Sequence, residues 1–392
     1  MMKTNPLQYL PHELIIQILL RLPVTSLLRF KCVCKLWLTL ISDIHFANSH
    51  FQITAATHTH RILFISYSAT HETRSIDFEA SLHDNSACVS PNLNFMYSQQ
   101  PYFSLNIKGS CGGFIVLHCF VGLIYLWNPS TGLHKRISLS PINFKGKIFR
   151  HLYGFGYDQS RDDYLLVSMS YHDTNNLDNI SSHLELFSLR DNMWKKIEGN
   201  HFLYMDRNKW DDPIAGTFFN RAIHWLAFRH DISMNLIVAF DLMEKKLLDI
   251  HLPNDFCCKS YHCDLWVFGD SLSLWGMGDG AVEIWVMKEY KVNSSWTKTL
   301  FLPIDGIPSR YFSPLCCTKS GDIVGTDGSM GLMKYDDKGQ LLEHHIYCND
   351  PCESLAIMYT ESLLSVPTLL IEFKKMTQTI KTRRRSTRRM RL

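Results

Sequence analysis

Two periodicities divide this chain. From Gln8 to Phe51 the apolar residues recur at helical spacing, with Leu14, Ile18 and Leu22 on one stripe and Ile15 and Leu19 beside it. Pro11 suits the first helical position, where a missing N–H costs nothing, and Glu13 in the first turn faces the positive end of the helix dipole. Pro23 stops the helix, because its ring clashes with the preceding turn and it has no N–H to donate. The spacing predicts a second helix from about Val24 to Cys32 and a third from about Cys34 to Ile41, with Leu27, Leu28, Val33, Trp37, Leu40 and Ile41 as their apolar positions. Three helices in roughly forty residues have too much surface for their volume to bury so many apolar side chains. The excess is expected to be met by another protein.

Beyond Arg61 the character changes. Short runs rich in Val, Ile, Phe, Tyr and Trp alternate with Gly, Asp, Asn and Pro clusters up to the mid-350s, the pattern of many antiparallel strands. A loose unit recurs five times: a strand pair, an aromatic, a turn and an amphipathic strand. The first runs from Gly112 through Leu123–Trp127 and the turn Asn128-Pro129-Ser130-Thr131-Gly132 to His134–Leu139. Later units end their second strand at Phe187, Phe240, Trp285 and Tyr335, so the landmark aromatics lie about 45 to 60 residues apart, the spacing of propeller blades. An open edge strand invites aggregation, so the ring is expected to close by pairing Leu355–Tyr359 with strands from Arg61–Phe78. The expected fold is α+β and multidomain: a small N-terminal three-helix unit, then a mainly antiparallel β-propeller-like domain of about six blades.

The helical stretch carries a resemblance. The pattern L-P-x-E-L-x-x-x-I-L-x-R-L-P-x-x-S-L-L-R-x-x-x-V-C-K-x-W-x-x-L-I, complete from Leu10 to Ile41, resembles an F-box of the plant type. The resemblance implies docking onto the Skp-type adaptor of a cullin-RING ubiquitin ligase. Leu10 and Pro11 would open that contact. Leu14, Ile18, Leu22, Pro23, Leu27, Leu28, Val33, Cys34, Trp37 and Ile41 match the family's other interface and core positions. The β-region is similar to a plant F-box-associated, kelch-like domain, on Gly154-Phe155-Gly156-Tyr157-Asp158, Leu184–Leu189, Ile223-His224-Trp225-Leu226-Ala227, Ala239-Phe240-Asp241-Leu242 and Ile284–Tyr290. A true kelch pattern has more double glycines; here the pair is clean only at Gly112-Gly113. The implied organisation is an F-box at 8–51, an associated β-domain at 61–366 and a basic tail at 374–392. The implied role is that of a non-catalytic substrate receptor, which holds a target protein near someone else's active site.

Composition adds boundaries. Hydrophobic residues make up 46% and charged residues 20%, a globular profile. The run Leu14–Leu20 is broken by Gln17 and followed by Arg21 and Pro23, so it reads neither as a signal core nor as a membrane span. The expectation is a soluble protein of the cytoplasm, the nucleus or both, its twelve cysteines reduced and mostly buried. Nine basic and no acidic residues fall in the tail; the chain total is only +3, so the first 373 residues carry −6. The tail is a solvated, disordered end, a nuclear-import signal or a weak nucleic-acid contact, and without interleaved aromatics or a basic folded face it argues against sequence-specific nucleic-acid recognition.

No chemistry of an enzyme is legible: there is no G-x-S-x-G, phosphate-cradling glycine loop or H-E-x-x-H. Cys257, Cys258, His262 and Cys263, and separately His344, His345, Cys348 and Cys352, have metal-like residue types but lack paired C-x-x-C spacing, so neither a metal nor a cofactor is expected. Cys32 and Cys34 fall inside the helical motif and are expected to pack there. Asp162-Asp163 and Asp336-Asp337 read as turn residues. Target contacts are expected in the long segments 171–182, 200–212 and 255–263, with Tyr204 and Trp210 as candidate aromatic anchors. A propeller that binds a small ligand or glycan, with any ligase role secondary or absent, is the alternative.

Overall fold

In the computed structural model the described residues are 10–55, 60–66, 73–84, 88–89, 105–119, 123–141, 149–172, 182–198, 204–206, 215–256, 263–278, 281–303, 312–327, 331–347 and 354–366. Helices come first: α1 (His12–Leu19), α2 (Val24–Phe30), α3 (Lys35–Ile41) and α4 (Ile44–Ala55). Pro11 sits one place earlier than expected, as the cap of α1. Its backbone is extended, and its carbonyl accepts from the amides of Leu14 and Ile15. Pro23 does the same for α2, accepting from Ser26 and Leu27, so one proline both ends the first helix and starts the second.

The fourth helix corrects the expectation of three. Its apolar periodicity is weak, with Asn48 and Ser49 in its middle. What starts it is Asp43, whose Oδ1 accepts from the amides of His45 at 2.8 Å and Phe46 at 3.2 Å. That satisfies N–H groups the first turn leaves free.

Six blades follow. Blade one is β4 (Leu105–Cys111), β5 (Phe114–Cys119), β6 (Leu123–Trp127) and β7 (His134–Ile137), after β1 (His60–Ser66), β2 (Thr73–Ile76) and β3 (Cys88–Val89), which belong to the closing blade. Blade two is β8 (Phe149–Asp158), β9 (Asp163–His172), β10 (Ser182–Ser188) and β11 (Met193–Lys196). Blade three is β13 (Ala215–Phe219), β14 (Ala222–Arg229), β15 (Met234–Asp241) and β16 (Lys246–Ile250), with β12 (Tyr204–Asp206) also pairing to β14. Blade four is β17 (Cys263–Phe268), β18 (Ser271–Gly278), β19 (Ala281–Met287) and β20 (Trp296–Pro303). Blade five is β21 (Ser313–Cys317), β22 (Ile323–Thr326), β23 (Gly331–Tyr335) and β24 (Leu341–Ile346). The last strand, β25 (Ser354–Thr360), pairs antiparallel with β1, Ile62 opposite Met358 and Phe64 opposite Ala356.

That pairing closes the ring as expected, and it leaves β25 as the inner strand of a sheet ordered β25-β1-β2-β3. The six inner strands are neighbours in sequence round the axis: β4 beside β8, then β13, β17, β21 and β25, which returns to β4. Each landmark aromatic lies on the third strand of its blade, and Trp127, Phe187, Phe240, Trp285 and Tyr335 are all buried.

Each of the five recurring units lacked its first strand, and that is the main revision to the repeat. The inner strands read L-N-I-K-G-S-C, A-G-T-F-F and S-P-L-C-C, with the small and turn-like residues that propensity assigns to loops. Crowding at the axis demands them. Blades two and three touch through a short parallel pairing, Ala215 opposite Tyr153 and Gly216 opposite Gly154. A Cβ on Gly154 would stand 2.2 Å from Ile223 Cγ2, and one on Gly216 would stand 2.4 Å from the same atom.

The helices do not stand apart from the propeller. Leu19, Leu20, Val24, Leu27, Ile41, Phe46 and Ala47 share one buried cluster with Phe114, Val116 and Leu126 of blade one and with Phe155, Leu166 and Phe187 of blade two. Part of the apolar excess of the helical unit is therefore met within the chain itself.

Candidate adaptor-docking face

Helix α1 is apolar on two sides. Leu19 and Leu20 point inward and are buried, with Ile15 and Ile16 half-buried against the same cluster. Leu10, Leu14 and Ile18, each four residues from the next, stay at least half exposed on the other side. Val33, just before α3, is 61% exposed, and Pro11, Pro23 and Cys34 are exposed as well. Leu22, Leu28 and Trp37 are half-buried and pack against the cluster beneath, Trp37 with its ring centroid 5.2 Å from that of Phe30.

Two of the motif's interface and core positions fall to the core. Leu27 is 0% exposed and Ile41 is 1% exposed, so both are core in this structure and hold the surface residues in place. Leu36 and Leu38 were missed, and both are exposed on α3. Their signal was present, since a seven-residue helix reading K-L-W-L-T-L-I cannot hide five large apolar side chains on one face.

The cysteines here also differ from expectation. Cys32 and Cys34 are exposed and free rather than packed, and Cys34 Sγ accepts from the Trp37 amide at 3.5 Å, capping α3. Among the seven cysteines whose side chains are described, only Cys119 and Cys316 are buried.

Behind the face, His50 of α4 is fully buried, and its Nε2 lies 2.9 Å from the carbonyl of Leu22. This clips α4 to the turn where α1 gives way to α2. The ring's Nδ1 is buried with no hydrogen-bond partner among the described residues, and burial holds the imidazole below its usual pKa. Burial likewise pulls down the Lys31 ammonium at the end of α2. The result is an exposed apolar strip, of the kind that marks a protein contact, on a rigid backing.

Comparison with known proteins bears on what that strip is for. Residues 7–48 match the F-box domain, and residues 51–336 match the F-box associated beta propeller domain. The chain belongs to the F-box proteins with an F-box-associated β-propeller. It is 29% identical over 305 residues to the F-box/kelch-repeat protein At3g23880 of Arabidopsis thaliana, covering 75% of this chain and 79% of that one. To the F-box protein CPR1 of the same plant it is 29% identical over 339 residues, covering 79% and 77%. Among solved structures the Dos1 propeller aligns with a TM-score of 0.36 at 11% identity, over 74% of this chain and 69% of that one. So distant a likeness adds nothing to the fold already described.

The F-box thus coincides with the helical unit, and its exposed strip with the front of the motif. On the propeller side, Tyr204 lies in β12 with its side chain outside the described residues, and Trp210 lies outside them altogether. Most of segments 171–182, 200–212 and 255–263 lies outside them too, as do Cys257, Cys258, His262, Cys348, Cys352 and the basic tail. Cys263 is half-buried on β17, while His344 pairs with Asp327 at 3.2 Å and His345 with His83 at 3.0 Å. Among the described residues no three of His, Cys, Asp and Glu are grouped to hold a metal.

The paired acids are turn residues with more to do. Asp336 Oδ1 accepts from the amides of Lys338 and Gln340. Asp163 is buried and accepts from the Arg190 amide at 2.9 Å and from Ser188 Oγ, tying one hairpin of blade two to the next.

Proposed function

We propose that this F-box protein is the substrate-recognition subunit of an SCF-type ubiquitin ligase. The exposed strip of Leu10, Leu14, Ile18 and Val33 supports the reading most directly, because this apolar surface at fixed motif spacing is left uncovered by the described residues. Leu10 and Pro11 open the contact with a Skp-type adaptor, which brings a cullin and a RING subunit. The propeller holds a target protein so that its lysines lie near the charged ubiquitin-conjugating enzyme. Catalysis is then proximity supplied to another protein's active site, and this chain contributes no reacting group. The working units are 8–51 for docking and 61–366, with kelch-like blades, for the target, while 374–392 remains a basic extension. The setting is the cytoplasm, the nucleus or both.

Affinity purification with quantitative mass spectrometry under proteasome inhibition tests this. The natural chain is compared with a Leu10→Ala, Pro11→Ala double variant. Loss of adaptor and cullin from the variant, with another protein retained or accumulating, is the expected result. Failure of the natural chain to recover any adaptor contradicts the ligase role and directs attention to small-molecule ligands of the propeller.

A further inference from the structure

After β25 the chain continues through Glu361–Val366 without regular structure, yet Ser362, Leu363, Leu364 and Val366 are buried. Arg61, Asn128 and Ser130 hold this segment, Ser130 Oγ accepting from the Ser362 amide at 3.2 Å. The Glu361 carboxylate lies 3.9 Å from Arg61 Nε, and Arg61 in turn donates to Ser75 Oγ at 2.6 Å and to the Ser75 carbonyl at 2.7 Å. Further on, Asn128 is fully buried at the head of the N-P-S-T-G turn of blade one. Its Nδ2 donates to the carbonyls of Ser362 at 3.1 Å and Leu364 at 2.9 Å, with Ser362 Oγ at 3.0 Å. Its Oδ1 faces the other way and accepts from the Ser130 amide at 2.9 Å, which shapes the turn itself.

Room for the segment is built in. Gly113, in the left-handed region at φ +78°, would carry a Cβ 2.1 Å from Ser362 Oγ, so only glycine lets the segment lie there. Leu363, Leu364 and Val366 belong to the same buried cluster as the inward residues of α1 to α4 and the face of blades one and two.

We propose that Glu361–Val366 is a strap that fixes the F-box helices onto blades one and two, and that Asn128 is the positioning residue that fastens it. The strap ties the last residues of the ring to the first unit of the chain. A consequence, which rests on the receptor reading, is that the adaptor-facing strip and the target-holding propeller keep one relative orientation. Proximity catalysis depends on such geometry.

Hydrogen–deuterium exchange on the full-length chain, without any adaptor, tests the strap separately from the ligase role. Asn128→Asp keeps the Oδ1 acceptor that shapes the turn and removes the two donors to the strap. Exchange is expected to quicken about tenfold or more across both Glu361–Val366 and Val24–Ala55, while Ala222–Asp241 of blade three is unchanged. Wild-type protection in Val24–Ala55 overturns the proposal, as does an equal loss of protection in every blade. If Asn128→Asp fails to fold, a Leu363→Ala, Val366→Ala double variant is read in the same way, and α2–α4 staying as protected as in the natural chain overturns the proposal.

Discussion

His224 of β14 shows how a single buried residue couples blades and sets a pH dependence. Its Nδ1 lies 3.2 Å from the Thr217 carbonyl and its Nε2 lies 2.8 Å from the Tyr290 hydroxyl, so the neutral ring donates to one and accepts from the other. Tyr290 follows β19, which makes this a bond between blades three and four. Burial holds His224 down to about 4 and raises the Tyr290 phenol to about 12, so both stay neutral across the working range. A histidine depressed in the folded state takes its proton first in the unfolded chain. Its contribution is complete above about pH 6.5 and is lost as pH falls toward 4. Denaturant unfolding of the natural chain and of His224→Gln is therefore expected to show a stability difference that moves by about 2 kcal/mol against the natural chain between pH 7.5 and 5. A difference that stays constant with pH contradicts the assignment. The motif around His224 was visible in the sequence as I-H-W-L-A, but its hydroxyl partner lies 66 residues away, and no local pattern announces such a bond.

At the scale of elements, the sequence was readable where burial is one-sided and ambiguous where it is not. The outer strands alternate or end in a landmark aromatic, and all five units were placed from those signals. Inner strands such as β13 and β21 are crowded on every side, so small residues replace the β-branched ones, and they read as loops. Helix α4 failed for a different reason: it depends on the Asp43 cap and on packing against the propeller, which no periodicity within it reveals. The inner-strand account is testable at Gly154. An added methyl meets Ile223 Cγ2 at 2.2 Å, so Gly154→Ala is expected to cost about 1–3 kcal/mol through overpacking where blades two and three join. Thermal unfolding at the midpoint of the natural chain checks this, and an unchanged midpoint means that the inner strands are looser than described.

For the whole molecule, the pairing of β25 with β1 joins the first and last strands of the β-region into a ring, and the strap then returns to the helices. A chain ending before Ser354 loses both. It is expected to expose the edge of β1 and to elute as large aggregates in size-exclusion chromatography rather than as a monomer with a cooperative unfolding transition. A monodisperse, cooperative product contradicts the closed ring. The candidate docking face was legible as a motif, but which of its residues face outward was not. Leu27 and Ile41 match the pattern as well as Leu14 and Ile18 do, and only packing against blades one and two separates them.

The central claim is that the outward strip of α1 binds a Skp-type adaptor, and the most direct test is the dissociation constant of the purified adaptor for the full-length chain and for a Leu14→Asp, Ile18→Asp double variant. Both side chains are about half exposed, so the variant should fold with a near-natural unfolding midpoint. The account predicts that it binds at least about 100-fold more weakly. Equal affinity of the two, or no measurable binding by the natural chain, contradicts it.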